Sequence, residues 1–123
     1  MTKDMTTLPV SQAIPQRMGF VIQVKSEHIA EYKRIHAKVW PDILTMISQC
    51  HIRNYTIFLK EPENLLFAYY EYYGNDFADD MAKMKNFPKM QEWWKITDEM
   101  QIPFDDRQPG AWWSLMEPVF FHP

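Results

Sequence analysis

The spacing of apolar positions changes several times along the chain. The segment RMGFVIQVK, residues 17–25, predicts a strand with one face buried and the other partly so, because Met18, Phe20, Ile22 and Val24 alternate with Gly19, Val21 and Gln23. Residues 26–50 carry apolar side chains at intervals of three and four, which predicts a helix with Ser26 as its N-cap. Pro41 interrupts this helix, so we expect a break at Trp40 and a second helix that begins at Pro41.

The second half of the chain predicts a hairpin followed by helices. Residues 51–60 and 65–73 are predicted strands, and the polar turn EPEN joins them. The same criteria predict helices over residues 75–87 and 88–100. They predict a loop over residues 101–110 and a terminal strand over residues 112–123. The resulting order, β-α-β-β-α-β, is typical of the ferredoxin-like sandwich, an α+β fold with one antiparallel sheet and helices on one face.

The length of 123 residues indicates a single domain. Residues 1–16 lack periodicity and are predicted to be a mobile tail, so we expect the domain to span residues 17–123. No apolar run approaches the roughly 18 residues that a membrane span needs. Cys50 is the single cysteine and cannot form an internal disulfide, and the first residues lack the apolar core of a secretory signal. We therefore expect a cytoplasmic protein.

Charge and aromatic content narrow the classes of partner. The formal net charge of −3 argues against a nucleic-acid-binding surface, which usually has a clustered basic excess. Aromatic residues make up 15% of the chain, which suits a flat binding pocket or a large interface. Because aromatic side chains on all four predicted strands are too apolar to face water, we expect a ligand cavity between sheet and helices, a sheet-mediated dimer, or both.

A histidine lies in the middle of the apolar stripe of the first helix. At 100° per residue the stripe comprises Ile29, Tyr32, His36, Val39, Trp40, Ile43 and Ile47. A histidine in this position is either a core residue with satisfied hydrogen bonds or a functional group. Since its unperturbed pKa is near 6.5, it is suited to proton transfer at neutral pH.

Aromatic and amide side chains suggest a carbohydrate ligand. Tyr32, His36 and Trp40 follow one another at intervals of four and can line one wall of a pocket. The C–H faces of a sugar can pack on the rings of Trp40, Tyr32, Trp93 and Trp94. The hydroxyl groups of a sugar can form hydrogen bonds with Asn54, Tyr55 and Tyr32. Core packing is the alternative interpretation for each of these rings.

Other kinds of site have little support in the sequence. The histidines show no HExxH spacing and the chain has no CxxC pair, so we expect no metal ion. The three glycines lie far apart, which excludes a glycine-rich phosphate loop. Cys50 is expected to be a small buried hydrophobic residue. The loop residues Asp105, Asp106 and Arg107 are candidates for a lid over a ligand, with a solvated loop as the alternative.

Several segments in one order resemble a known family. EYKRIHAKVWPDI, RNYTIFL, NLLFAYYEY, QEWWKITDEM and MEPVFFHP are similar to the L-rhamnose mutarotase family over almost all of residues 17–123. The resemblance implies a cofactor-free homodimer of the dimeric α/β barrel type, which pairs through the sheet and the C-terminal strand. It also implies that the protein interconverts the α and β anomers of a free 6-deoxy-L-hexose, with L-rhamnose as the expected sugar.

The same resemblance implies roles for individual residues. His36 matches the family's catalytic histidine, Tyr32 the tyrosine one turn before it and Tyr55 the tyrosine of the second strand. Trp93 and Trp94 match the tryptophan pair that contacts the sugar. Our hypothesis is that protonated His36 acts as acid to the ring oxygen in opening and as base in closing, while Tyr32 or water relays the second proton. The alternatives are an L-fucose mutarotase of the same family, a cofactor-independent monooxygenase and a non-catalytic small-ligand-binding dimer module.

Overall fold

The computed structural model describes residues 15–123. Within them lie five strands: β1 (Gln16–Val24), β2 (Ile52–Lys60), β3 (Leu65–Tyr72), β4 (Gln101–Ile102) and β5 (Ser114–Met116). A 3-10 turn at Ser26–His28 precedes four α-helices: α1 (Ile29–His36), α2 (Pro41–Gln49), α3 (Phe77–Lys85) and α4 (Pro88–Met100). Most of the predicted tail, residues 1–14, lies outside the described residues. Of its last two residues, which are described, Gln16 pairs with Tyr72 in the sheet.

The strands form one antiparallel sheet in the order β2-β3-β1-β4, with β5 paired to β1 as well. Alternate residues of β3 are buried, namely Leu66, Ala68, Tyr70 and Tyr72, because successive side chains of a strand point to opposite faces. Helix α4 contacts α1, α2 and α3. The predicted α+β class and the antiparallel sheet are confirmed.

The C-terminal part of the sheet differs from the prediction. Gln101 and Ile102, which were expected in a loop, form β4 and pair with the end of β1. The predicted strand over residues 112–123 is reduced to the three residues of β5. Prolines lie close after each segment, at Pro103 and Pro118, and proline removes a backbone donor and restricts the residue before it. Two short strands therefore share one edge of β1.

The helix break at Pro41 is confirmed. Trp40 has an extended backbone with ψ of 134°, and Pro41 is the first residue of α2. The N-cap prediction for Ser26 is wrong. The first turn is a 3-10 turn with Lys25 in the capping position, and no side-chain hydrogen bond caps it or α1.

The buried side chains form two clusters. One is built from Ile43, Cys50, Ile52, Tyr70, Tyr72, Met84, Met90 and Trp93. The other is built from Ile22, Val24, Tyr32, Leu66 and Met100. Each fully buried large apolar side chain contributes about 1.5–3 kcal/mol. His36 lies between the clusters, since its ring contacts Tyr32 of the second and Trp93 of the first. Among residues 15–123, no helix has the length and apolar character that crossing a membrane requires.

Candidate active site

Four aromatic rings form a continuous row across the helices. The rings of Tyr32 and His36 are stacked with centroids 4.1 Å apart. His36 meets the buried Trp93 edge-on at 5.3 Å, and Trp93 meets Trp40 in the same manner at 5.2 Å. The spacing of four within α1 places Tyr32 beneath His36, and the break before Pro41 ends α1 so that Trp40 lies against α4.

The orientation of the His36 imidazole is determined by one hydrogen bond. Its Nδ1 lies 2.8 Å from the carbonyl oxygen of Tyr32. Because a carbonyl oxygen can only accept, Nδ1 carries the hydrogen and donates it. The neutral ring therefore keeps its lone pair on Nε2. Burial lowers the pKa of His36, and the hydrogen bond to the Tyr32 carbonyl opposes this shift only in part.

A cavity of about 140 Å³ lies beside these two residues. Its lining consists of Val24, Ile29, Tyr32, Lys33, His36, Ile57, Leu59 and Leu66. Tyr32, Lys33 and His36 make one side polar, whereas the sheet residues opposite are aliphatic. A larger depression of about 410 Å³ lies between α2 and the α3–α4 turn, but none of the predicted site residues lines it. The smaller cavity is therefore the candidate active site.

A β-bulge directs Tyr55 to the helix-facing side of the sheet. Two residues of β2, Asn54 and Tyr55, lie opposite Tyr70 alone, and Asn54 has a left-handed backbone with φ of 52°. The Tyr55 ring meets the Tyr70 ring edge-on at 5.3 Å. Tyr55 is 41% exposed, and burial raises the pKa of its phenol to about 12.

Tyr55 influences the ionisation of two other tyrosines, Tyr32 and Tyr70. Burial raises the pKa values of Tyr32 and Tyr70, and the electrostatic influence of Tyr55 raises both of them further. All three side chains are therefore neutral phenols at physiological pH. Such phenols can donate and accept hydrogen bonds with the hydroxyl groups of a ligand.

One predicted sugar contact, Asn54, lies apart from this group. The side-chain amide of Asn54 donates to Glu71 at 2.9 Å, on the face of the sheet away from the helices, where the hydroxyls of Tyr69 and Tyr73 also donate to Glu71. Trp94 is half-buried and packs against the first core cluster. The structure thus brings Tyr32, His36, Trp40, Tyr55 and Trp93 together, and it does not bring Asn54 to them.

The loop after β4 does not turn its charged residues toward the cavity. Asp105 and Asp106 are exposed. The guanidinium of Arg107 donates to the backbone oxygens of Phe104 at 2.9 Å and Ala111 at 2.8 Å, which holds the loop in shape. Of the two sequence-based interpretations, the structure favours a self-contained solvated loop.

Three polar residues near the site were missed from the sequence. Tyr70 belongs to the helix-facing side of β3, a position that the alternation of YYEYY could have indicated. The side-chain amide of Gln101 donates to the Tyr32 hydroxyl at 3.1 Å, and the indole of Trp112 donates to the Gln101 oxygen at 2.9 Å. Gln101 lies in a segment whose composition predicted a loop, so its burial had no local signal.

Comparison with known families identifies the chain. A family model described as L-rhamnose mutarotase matches residues 17–122. The chain belongs to the L-rhamnose mutarotase family. Membership assigns it the activity of that family, L-rhamnose mutarotation, which is an isomerase reaction of carbohydrate metabolism.

Individual L-rhamnose mutarotases are similar to the chain over most of their length. The protein from Mesorhizobium japonicum is 29% identical over 101 residues, which cover 80% of this chain and 90% of that protein. The protein from Escherichia coli K12 is 30% identical over 107 residues, which cover 87% of this chain and 98% of that protein. The crystal structure of L-rhamnose mutarotase from Formosa agariphila matches the fold with a TM-score of 0.69 at 22% identity, covering 88% of this chain and 99% of that one.

Proposed function

We propose that the chain interconverts the α and β anomers of free L-rhamnose by acid-base ring opening and closing in the cavity beside Tyr32 and His36. One observation carries this assignment. Since His36 gives its Nδ1 hydrogen to the Tyr32 carbonyl, the nitrogen left for a ligand is Nε2, with its lone pair free. The cavity that His36 lines also has an aliphatic wall on its opposite side.

Ring opening requires that the anomeric hydroxyl lose a proton, that the C1–O5 bond break and that the ring oxygen gain a proton. In our mechanism Nε2 of neutral His36 accepts the O1 proton, and the Tyr32 hydroxyl delivers its hydrogen to the ring oxygen. The pKa of Tyr32 is raised, but the departing ring oxygen is an alkoxide, which is a stronger base than a phenolate. This mechanism reverses the starting role of His36 in our sequence-based hypothesis, because burial favours the neutral ring.

Ring closure returns both protons. After rotation about C1–C2, the O5 hydroxyl attacks the other face of the aldehyde, its proton returns to Tyr32, and the imidazolium gives its proton to O1. The two residues finish as they began. Between these steps an imidazolium and a phenolate lie in neighbouring stacked rings, so their opposite charges stabilise each other. Each proton transfer contributes about 10²- to 10⁴-fold.

The other aromatic residues have different roles in this proposal. Trp93 is buried edge-on to His36 and fixes the position of the imidazole. Tyr55 offers a hydroxyl to the sugar, and Trp40 and Trp94 border the bound ring. Asn54 is left out, since its amide is committed to Glu71 and stabilises the bulge that positions Tyr55.

The aliphatic wall supports a 6-deoxy sugar as substrate. Ile57, Leu59 and Leu66 offer no hydrogen bond to a C6 hydroxyl, whereas they can pack against a C6 methyl. L-mannose differs from L-rhamnose only by that hydroxyl, so we expect its kcat/KM to be lower by about tenfold or more. L-fucose carries the same methyl and stays the alternative substrate.

Proton NMR at equilibrium tests the activity. One anomeric proton of L-rhamnose is saturated, and transfer to the other is followed with wild type, His36→Ala and His28→Ala. His28 lies in the 3-10 turn outside the cavity, which makes it a matched control. Transfer that His36→Ala abolishes and His28→Ala retains supports the proposal. Absence of transfer with every sugar, alongside saturable sugar binding, would favour a non-catalytic binding module.

We also propose a ferredoxin-like subunit that forms a cytoplasmic homodimer of the α/β barrel type. The strand order and antiparallel pairing support the subunit fold. Exposed apolar side chains support a dimer: Phe58 on the outer sheet face is 61% exposed, and Phe120 in the C-terminal segment is 84% exposed. Light scattering is expected to give twice the chain mass, and Phe58→Glu is expected to lower it. A monomeric wild type would contradict the dimer.

A further inference from the structure

We infer that Gln101 and Trp112 are a positioning pair that directs the hydroxyl hydrogen of Tyr32 into the cavity. The inference rests on the proposed function, in which Tyr32 delivers a proton to the ring oxygen of the sugar. It concerns residues from outside α1: Gln101 from β4 and Trp112 from the loop before β5.

The orientation of the Gln101 amide follows from its neighbours. The indole nitrogen of Trp112 carries a hydrogen and can only donate, and it lies 2.9 Å from Oε1 of Gln101. The amide oxygen of Gln101 therefore accepts the hydrogen bond from Trp112. Its nitrogen, Nε2, then faces the hydroxyl of Tyr32 at 3.1 Å. Only this orientation of the amide gives each of the three groups a compatible partner.

The amide in turn determines what the Tyr32 hydroxyl can do. Because Nε2 of Gln101 is a donor, the phenol oxygen accepts from it, and the single hydrogen of the phenol must point elsewhere. Tyr32 is 94% buried and lines the cavity, so the cavity is where a partner for that hydrogen can enter. The same amide also favours the phenolate, since its hydrogen bond opposes the raising effect of burial on the pKa of Tyr32.

The loop that carries Trp112 is held in place by its own contacts. Arg107 donates to the backbone oxygens of Phe104 and Ala111, and its guanidinium carbon lies 5.9 Å from the Trp112 ring. Gln101 itself pairs through β4 with Val24, another residue that lines the cavity. The sheet and the loop therefore fix the pair relative to Tyr32.

Reversing the polarity of one hydrogen bond tests the inference. In Gln101→Glu the new carboxylate can accept from both Trp112 and Tyr32, which turns the phenol hydrogen away from the sugar. We expect kcat to fall by about tenfold or more, with KM changed by less than about twofold. Gln101→Met, which cannot donate, is expected to lower kcat as well. The matched control is Gln108→Glu, in the loop that carries Trp112. We expect this variant to keep the wild-type kcat.

A double substitution separates positioning from a structural role. In a Tyr32→Phe background, Gln101→Glu is expected to cause no further loss of kcat, because the pair acts through the missing hydroxyl. An active wild type whose kcat is unchanged by both Gln101 substitutions would overturn the inference, as would losses that multiply in the double variant. An inactive wild type is a separate outcome, which would overturn the proposed function and the pair with it.

Discussion

His36 donates its Nδ1 hydrogen to the backbone carbonyl of Tyr32, one turn earlier in the same helix, and the two rings are stacked at 4.1 Å. A single helical turn thus fixes both the tautomer of the histidine and its distance from the tyrosine. The two groups to which we assign proton transfer are positioned by local geometry, whereas their partners come from distant parts of the chain.

The pH dependence of kcat/KM tests which form of His36 starts the reaction. Burial lowers the pKa of His36 below its ordinary value near 6.5, and the neutral form is the base. We therefore expect activity to persist below pH 6.5 and to decline as the pH falls through the lowered pKa. The measurement is the anomer exchange rate at dilute sugar, corrected for the spontaneous rate. A rate that rises on acidification would instead support protonated His36 as the initial acid.

Removing the Tyr32 hydroxyl is expected to affect catalysis more than stability. Tyr32→Phe keeps the ring that stacks on His36, so we expect kcat to fall by about 10²-fold or more. The free energy of unfolding is expected to fall by only about 1–3 kcal/mol, because the buried Gln101 amide loses its acceptor. Urea denaturation and NMR exchange measure the two effects. Retention of wild-type kcat would remove Tyr32 from the proton transfer.

Tyr55→Phe is expected to weaken sugar binding. Our proposal has the Tyr55 hydroxyl contact the sugar, and the variant keeps the ring with its edge-on contact to Tyr70. Loss of one neutral hydrogen bond to the sugar corresponds to about 0.5–1.5 kcal/mol, or roughly a two- to tenfold higher KM. The control is Tyr73→Phe, on the outer face of the sheet. Equal KM values for the two variants would contradict the assignment of Tyr55.

Gly74 is expected to be intolerant of a side chain for steric reasons. A Cβ at this position would overlap the hydroxyl oxygen of Tyr72 and would lie 2.7 Å from a carboxylate oxygen of Asp80. Gly74→Ala is therefore expected to destabilise the fold by about 1–3 kcal/mol. Gly19→Ala is the control, since its Cβ would meet the flexible end of Met116 at 3.3 Å and the backbone oxygen of Ala68 at an ordinary contact distance of 3.9 Å. Equal melting temperatures for both variants would contradict this account.

The carboxylate of Asp80 is expected to make stability depend on acid pH. Burial alone would raise the pKa of Asp80. Hydrogen bonds from Tyr72 at 2.5 Å and His51 at 2.9 Å, together with the electrostatic influence of His51 and Lys83, outweigh burial and lower the pKa. Since the folded pKa lies below the unfolded value near 4, this contribution is present above that value and is lost as the pH falls through the folded pKa.

The measurement for Asp80 is the free energy of unfolding as a function of pH in wild type and Asp80→Asn. We expect the difference between the two proteins to shrink as the pH falls below about 4, because protonation removes the charge that the substitution also removes. A difference that stays constant across this range would show that the charge of Asp80 contributes nothing to folding.

Periodicity and proline chemistry were sufficient to predict much of the fold. The alternation in β1 and β2, the hairpin and the start of α2 at Pro41 depend on neighbours within a few residues, and all were predicted correctly. The C-terminal strands were not, because β4 and β5 exist only through their pairing with β1, about 80 to 95 residues earlier in the chain. The bulge at Asn54 and Tyr55 likewise becomes visible only against Tyr70 on β3.

The sequence by itself determined that Tyr32 and His36 lie on one side of a helix, because helical geometry fixes which residues share a face. Only the tertiary structure decided that Asn54 faces away from the cavity and that Gln101 and Trp112 reach Tyr32. These relationships depend on the directions of hydrogen bonds between residues that are distant in sequence or on the course of a bulged strand. No local pattern of hydrophobicity or charge contains that information.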